Sequence, residues 1–445
     1  MGVMKKISKV ICLSVALCCL AGCSGEAAEQ TGGTGQVEPV FEENTITYNL
    51  LETPQLEYEV PEMVPSISVP SGGYDVAEEK LAHVYGTILP EEFCLLEKES
   101  GEIVYTGAFS DVKYHKDTAS YSAIADFSEV AEVGEFVLKC DYLGYSYPFS
   151  IEEMLQENAL VEMVEAFPEQ FAKCEDLESN VDGVMILLLS YEFYGEVYDA
   201  EGGKIPEVLE VIGEFMEALQ KELEAEEPTL EYDPYMMAAL FAKYGNVYQT
   251  YDWNAGNEAI KLAKKLWKNA EKDEELTSEY RILASAELYR VTGTYSYRKL
   301  VQDYFEGQIE EERVLNNSYD VLAALTHFKT AYKVNRSLCT SLMEEILDQA
   351  EEVAAYISLD NQLLGSNGRE EKLDEIMWNM VSVSVVEYVI TNYEYGDLLE
   401  NQYFYLQGRN PDSYDYVSEM IVDNPRWQAS YMMMLCEHLA HDHLK

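Results

Sequence analysis

Metal coordination, nucleophilic catalysis and phosphate binding each need particular side chains at particular spacings, and this chain carries none of those patterns. Its six histidines form no HExxH or similar ligand pair, the spacing that sets two imidazoles on one helix face around zinc. His438, His441 and His443 gather at the C-terminus, where a solvated chain end is expected instead. Of the nine cysteines, Cys94, Cys140, Cys174, Cys339 and Cys436 are scattered and contain no CxxC, so buried free thiols are expected in place of a disulfide framework or a metal site. There is no GxSxG elbow, no P-loop and no dinucleotide fingerprint, and neither a metal nor a cofactor is expected. What the chain does have is 82 carboxylates, 34 tyrosines and four tryptophans. Carboxylates suit general acid–base work when a pair is held at a fixed separation. Flat aromatic faces suit stacking on the apolar C–H faces of pyranose rings. Trp253, Trp378 and Trp427 lie at or near predicted helix ends, where loops would line a cleft, and are the candidate platforms, with core packing as their competing role. Trp267, mid-helix beside Ala263 and Leu266, is assigned to the core.

The formal net charge is −52 over 445 residues. Such a surface repels nucleic-acid phosphates and anionic headgroups, so a nucleic-acid partner is excluded. The acids are spread along the chain, as on a solvated surface, and are not massed in one tail. Lys5 and Lys6 precede an apolar run, Val10 to Leu20, too short to span a bilayer as a helix. Leu20-Ala21-Gly22-Cys23 follows and resembles the bacterial lipoprotein box, in which small residues admit the signal peptidase and the cysteine thiol accepts a diacylglycerol. This makes 1–22 a lipoprotein signal peptide and Cys23 a lipid anchor, holding the chain on the extracellular face of the cell membrane through the lipid alone. Residues 23–45, rich in Gly, Glu, Gln and Thr, read as a disordered tether.

Two periodicities divide the rest. Residues 46–152 read as β: Phe93 and Leu95 alternate with Cys94 and Leu96, Ser100-Gly101 turns the chain, and Ile103-Val104-Tyr105 runs back. Phe136, Leu138 and Cys140, then Tyr145, Tyr147 and Phe149, keep period 2. Residues 153–445 switch to the helical period, with the clearest segments at 181–195, 205–224, 234–248, 254–271, 276–292, 295–306, 317–333, 337–357, 370–392, 394–406 and 427–441. Pro206 suits a first turn and Gly293 a C-terminal stop. Short loops between eleven or twelve helices predict antiparallel neighbours and a toroid of six helical hairpins. The expected fold is therefore multidomain β + α, a β-sandwich leading into an (α/α)6 barrel.

The residues of these regions resemble glycoside hydrolase family 9, the cellulase-like enzymes with an N-terminal immunoglobulin-like domain. Pro65–Gly107 is similar to the start of that domain. Ile124–Ile151, with Asp126-Phe127-Ser128, Gly134 and Ser146-Tyr147-Pro148-Phe149, is similar to its end. Gly202–Leu219, Glu279–Lys299 and Tyr403–Val417 are similar to three helical motifs of the family, in the same order. The resemblance covers about 65–440 and implies an immunoglobulin-like sandwich, a six-hairpin barrel and β-glucan or oligosaccharide ligands.

The same resemblance implies that the catalytic groups are gone. The family's base lies in a Gly-Gly-Trp-x-Asp-Ala-Gly-Asp motif before the first long helix; here Phe171 to Val184 contains neither that Trp nor Asp-Ala-Gly-Asp. Asp176 and Asp182 lie near the expected place, and Asp199 sits in a superficially similar run after the helix; all three are weak candidates for a base. The family's acid is a Glu after Asn before the last helix, and here Pro425 follows Asn424. Arg409 and Asn410 of the Gly-Arg-Asn-Pro turn resemble residues near the family's cleft, although fixing the turn would be role enough. The expectation is a lipid-anchored homologue that binds glycan without hydrolysing it. An inverting glucanase with relocated carboxylates and a structural or protein-interaction lipoprotein are the alternatives.

Overall fold

The computed structural model describes residues 64–116, 118–198, 205–225, 230–273, 275–310, 315, 318–358, 370–390 and 395–442. The expected signal peptide and tether, Cys23 and Asp199 lie outside the described residues.

Among the described residues nine strands come first: β1 (Ile67–Ser68), β2 (Tyr74–Asp75), β3 (Leu81–Gly86), β4 (Glu92–Glu97), β5 (Ile103–His115), β6 (Ser120–Asp126), β7 (Gly134–Cys140), β8 (Gly144–Tyr145) and β9 (Phe149–Glu152). The long β5 pairs with β4 at one end and β6 at the other, so it belongs to both faces. β1, β3 and β6 complete one face, and β7, β9, β2 and β8 the other. Between them Phe93, Leu95, Phe136, Leu138, Phe149 and Ile151 are fully or almost fully buried. This is the alternation that a half-buried strand requires. Cys94 and Cys140 are both free. Their strands are adjacent, but Cys140 pairs with Phe93 and Cys94 with Lys139, and a one-residue offset sends the two thiols to opposite faces.

Thirteen helices follow among the described residues: α1 (Leu155–Lys173), α2 (Leu177–Tyr198), α3 (Glu207–Leu223), α4 (Pro234–Tyr248), α5 (Trp253–Ala270), α6 (Arg281–Thr292), α7 (Tyr295–Glu310), α8 (Ser318–Lys329), α9 (Arg336–Ser358), α10 (Glu370–Ile390), α11 (Gly396–Leu406), the short α12 (Tyr416–Glu419) and α13 (Pro425–Asp442). Six of them close a ring: α2 packs on α4, α4 on α6, α6 on α8, α8 on α10, α10 on α13 and α13 on α2. These inner helices are buried nearly all round, as Val181–Ser190 of α2 shows, whereas the outer α5 buries one stripe through Ala259, Ala263, Leu266 and Ala270. That is the division expected between a barrel wall and its jacket. Gly183 permits a close contact of α2 with α13, because a Cβ there would stand 2.9 Å from the Pro425 carbonyl. Gly293 ends α6 in the left-handed region at φ 65°, the conformation in which glycine costs least.

The sandwich is bolted to the barrel. Ser68 Oγ donates to the Asn410 carbonyl at 2.6 Å and Ser71 Oγ to Asp415 at 2.6 Å. Asp75 accepts the Leu155 N–H at 3.0 Å. Beneath them the His438 imidazole lies between Glu78 (3.1 Å) and Glu400 (3.6 Å). This corrects the expectation of a solvated end for His438, which is buried because α13 carries it under the sandwich. Burial disfavours its proton, but the two carboxylates outweigh burial and raise its pKa to about 10.

Candidate functional site

The inner helices alternate with outer ones, so all six run the same way and present their N-termini at one mouth. Asp182 near the start of α2, Tyr280 capping α6, Tyr319 opening α8, Asp374 early in α10 and Arg426 opening α13 meet there. Asp182 is 1% exposed. It accepts from Tyr280 Oη at 3.1 Å and Tyr319 Oη at 2.8 Å, and Arg426 Nη1 lies 3.4 Å away. The same two phenols reach Glu178 at 3.1 and 3.2 Å, and each other at 2.6 Å. Arg426 Nη2 is 2.5 Å from Asp374, which also accepts Trp427 Nε1 at 2.8 Å.

Proton counting shows what this cluster holds. Two phenolic protons serve five oxygen–oxygen contacts, so a third proton on Asp182 supplies a donor that the network lacks. Burial pushes the Asp182 carboxyl up to about 7, against the pull of the Tyr319 bond and Arg426. Burial and Asp182 raise Tyr280 and Tyr319 in turn, so both stay protonated donors. Arg426 is held charged, the pull of Asp374 and Asp182 overcoming burial.

The other sequence-derived candidates fall elsewhere. Asp176 caps α2, accepting from Ser179 Oγ at 2.7 Å and the Glu178 N–H at 3.1 Å; its oxygens serve the helix end and not a substrate. Trp378 is half-buried at the mouth, edge-on to Tyr319 at 5.6 Å with the Arg426 guanidinium 6.0 Å from its ring. Trp427 is at the same mouth but only 6% exposed, so it orients Asp374 and offers no open face. Arg409 and Asn410 correct the expectation of ligand contact. Arg409 is 2% exposed. It donates to Asn401 at 2.7 Å and to the Leu81 carbonyl of the sandwich at 3.5 Å, and lies over the Phe404 ring. Asn410, 1% exposed, spends its amide on the Tyr405 and Tyr414 carbonyls, both at 2.8 Å. Docking of the sandwich buries both. Trp253 is 68% exposed, but it opens the outer helix α5 and so stands at the opposite mouth. Tyr280, Tyr319, Asp374 and Arg426 were not singled out in the sequence; only their convergence in space marks them.

Among the described residues no group of histidine, cysteine or carboxylate side chains is arranged to hold a metal ion, and no helix is long and apolar enough to cross a membrane.

Residues 62–144 match the model of the cellulase N-terminal ig-like domain. No curated protein matches the chain in sequence. Solved structures do resemble it. A metagenome-derived glycoside hydrolase family 9 endoglucanase is 14% identical with a TM-score of 0.67, over 84% of this chain and 98% of that one. Bacteroides ovatus GH9 is 16% identical with a TM-score of 0.60, over 85% and 99%. AaCel9A in complex with cellobiose-like isofagomine is 15% identical with a TM-score of 0.61, over 79% and 84%. The chain thus carries the cellulase-type ig-like domain followed by the α/α barrel fold of family 9 endoglucanases.

Proposed function

We propose that this protein is a surface-anchored, non-hydrolytic binder of β-linked glucan oligosaccharides. The observation that carries the reading is that the carboxyls described at this mouth are engaged by neighbouring side chains. Inverting hydrolysis needs two carboxyls about 6.5–9.5 Å apart with sugar and water between them. Here the phenols of Tyr280 and Tyr319 occupy the space between Glu178 and Asp182. The Arg426 guanidinium occupies the space between Asp182 and Asp374. Pro425, which opens α13, has no side-chain proton to give. The mouth keeps groups that suit sugar hydroxyls and a sugar face: the exposed Glu178, the partly exposed Asp374 and the Trp378 indole. AaCel9A binds a cellobiose-like ligand on the same fold, which supports a β-glucan as the ligand class.

Anchoring rests on Leu20-Ala21-Gly22-Cys23. The diacylglycerol on Cys23 would be the sole membrane contact, with the mature chain on the outer face. Titration calorimetry with cello-oligosaccharides tests the binding: saturable heats that weaken tenfold or more in Trp378→Ala are expected. No affinity for any member of a β-glucan panel would sink the proposal. One observation favours a second reading, a hydrolase using Asp182 as acid or base, because its carboxyl is raised to about 7, where such groups work. That reading requires hydrolysis that vanishes in Asp182→Asn.

A further inference from the structure

The exposed Trp253 has no place in the mouth of the Asp182 cluster, and Thr250, three residues before it, lines a second cavity. The C-terminal ends of the inner helices frame a cleft of about 770 Å³ lined by Tyr191, Glu192, Phe193, Tyr194, Asn246 and Thr250, among others. It lies ten residues along α2 from Asp182, about 15 Å at the rise of an α-helix. That volume lies within the roughly 300–1,000 Å³ of small-ligand sites. The helix breaks where the cleft forms: Tyr194 leaves helical geometry at φ −120°, ψ 33° inside α2. Such interruptions mark places where a helix is re-aimed.

The chemistry of the walls narrows the occupant. Tyr191 is hydrogen-bonded through its hydroxyl to Tyr251, which is 38% exposed, and Trp253, two residues further, is 68% exposed. The Tyr191 and Tyr251 rings, 6.4 Å apart, form an aromatic lip, with Trp253 following in the chain. The floor is polar and electrically balanced. Glu192 is paired with Lys243 at 2.9 Å and with Arg290. Those cations outweigh the cost of burial and hold its carboxyl down at about 2. Glu287 faces the same two cations, each at 3.8 Å. The Asn246 carbonyl accepts from Arg290 Nε at 3.1 Å, which leaves its NH2 as a donor, and the Thr250 hydroxyl, which donates to the Val247 carbonyl at 2.9 Å, adds an acceptor on the rim. Lys243 and Arg290 are thus compensated by two carboxylates, and a third cation, Lys329, 4.5 Å over the Phe193 ring, is matched in formal charge by the exposed Glu196 on the lining. What remains are aromatic faces beside fixed hydrogen-bonding groups, the complement of a neutral polyhydroxylated ring.

We infer that this cleft is a second binding site, for a neutral mono- or disaccharide unit, at the end of the barrel remote from the Asp182 cluster. The inference stands on the cleft's own walls and does not depend on glycan binding at the other mouth. The test titrates the full chain with cellotetraose, xylotetraose and mannotetraose, with glucuronic acid as an anionic comparator, following tryptophan fluorescence and saturation-transfer NMR. Thr250→Trp, which fills the rim, and Trp253→Ala, which removes an exposed ring without touching the core, are compared with Trp378→Ala. Expected are a tenfold or greater loss of affinity in Thr250→Trp, a several-fold loss in Trp253→Ala with unchanged melting, and no effect of either on the component that Trp378→Ala removes. The inference is overturned if no neutral probe binds, if glucuronic acid binds best, or if both far-end variants titrate like the native chain. An effect of the far-end variants with none from Trp378→Ala would leave it standing and remove the binding role of the other mouth.

Discussion

Replacing Asp182 with asparagine should raise stability at pH 8 relative to its effect at pH 4. The native carboxyl is 1% exposed and titrates at about 7 instead of the ordinary 3.8. An acid whose pKa is raised on folding binds its proton more tightly in the folded state. Its contribution is therefore intact below pH ~4, declines as pH rises through the range up to ~7 and is flat above. About three pH units at 1.36 kcal/mol each make the decline about 4 kcal/mol at pH 8. Asparagine keeps the shape and cannot ionise, so it escapes that decline. Hydrogen bonds lost or gained with the Tyr280 and Tyr319 phenols cancel to first order in the difference between the two pH values. Urea unfolding of both proteins at pH 4 and pH 8, extrapolated linearly, should give a double difference of about 4 kcal/mol in favour of asparagine at pH 8. A double difference near zero, or one favouring aspartate at pH 8, would show an ordinary ionised carboxylate paired with Arg426 and would refute the neutral centre.

His438, raised to about 10 from 6.5 between Glu400 and Glu78, has the opposite sign. Its stabilisation is full below pH ~6.5 and lost as pH rises through ~10, so His438→Gln should cost about 3–5 kcal/mol at pH 6 and flatten the alkaline arm, read by urea unfolding at pH 6 and pH 10. Gly183→Ala drives a methyl to 2.9 Å from the Pro425 carbonyl and should cost about 1–3 kcal/mol, seen as a lower melting temperature with unchanged helix content. Cys23→Ala should move the protein from the membrane fraction to the medium and abolish its labelling by palmitate; retention of both would remove the lipid anchor.

The sandwich was legible because its signals are local. Period-2 burial of Phe93 and Leu95 against Phe136 and Leu138, the Ser100-Gly101 turn and the Phe149 ending each show within a few residues of sequence. The helical segments were legible for the same reason, down to Gly293 as a stop. Helix α1 was not among the clearest, and Pro168 within it interrupts the pattern that a reader follows. The centre was not legible. The partners of Asp182 stand 98, 137 and 244 residues away, and neither a tyrosine after Glu279 nor an arginine after Pro425 has a local signature. The role of Arg409 was hidden because its burial comes from the sandwich docking on it. Which mouth Trp253 faces has no local signature, because each hairpin reverses direction. A tryptophan that opens an outer helix then faces the mouth opposite to one that opens an inner helix.

The most direct measurement is prolonged incubation of the full chain with reducing-end-labelled cellohexaose, followed by mass spectrometry of the products. Intact hexaose at every time point, alongside saturable binding of the same sugar, is the predicted result. Shorter oligosaccharides that accumulate with native protein and cease with Asp182→Asn would contradict the reading of a non-hydrolytic centre.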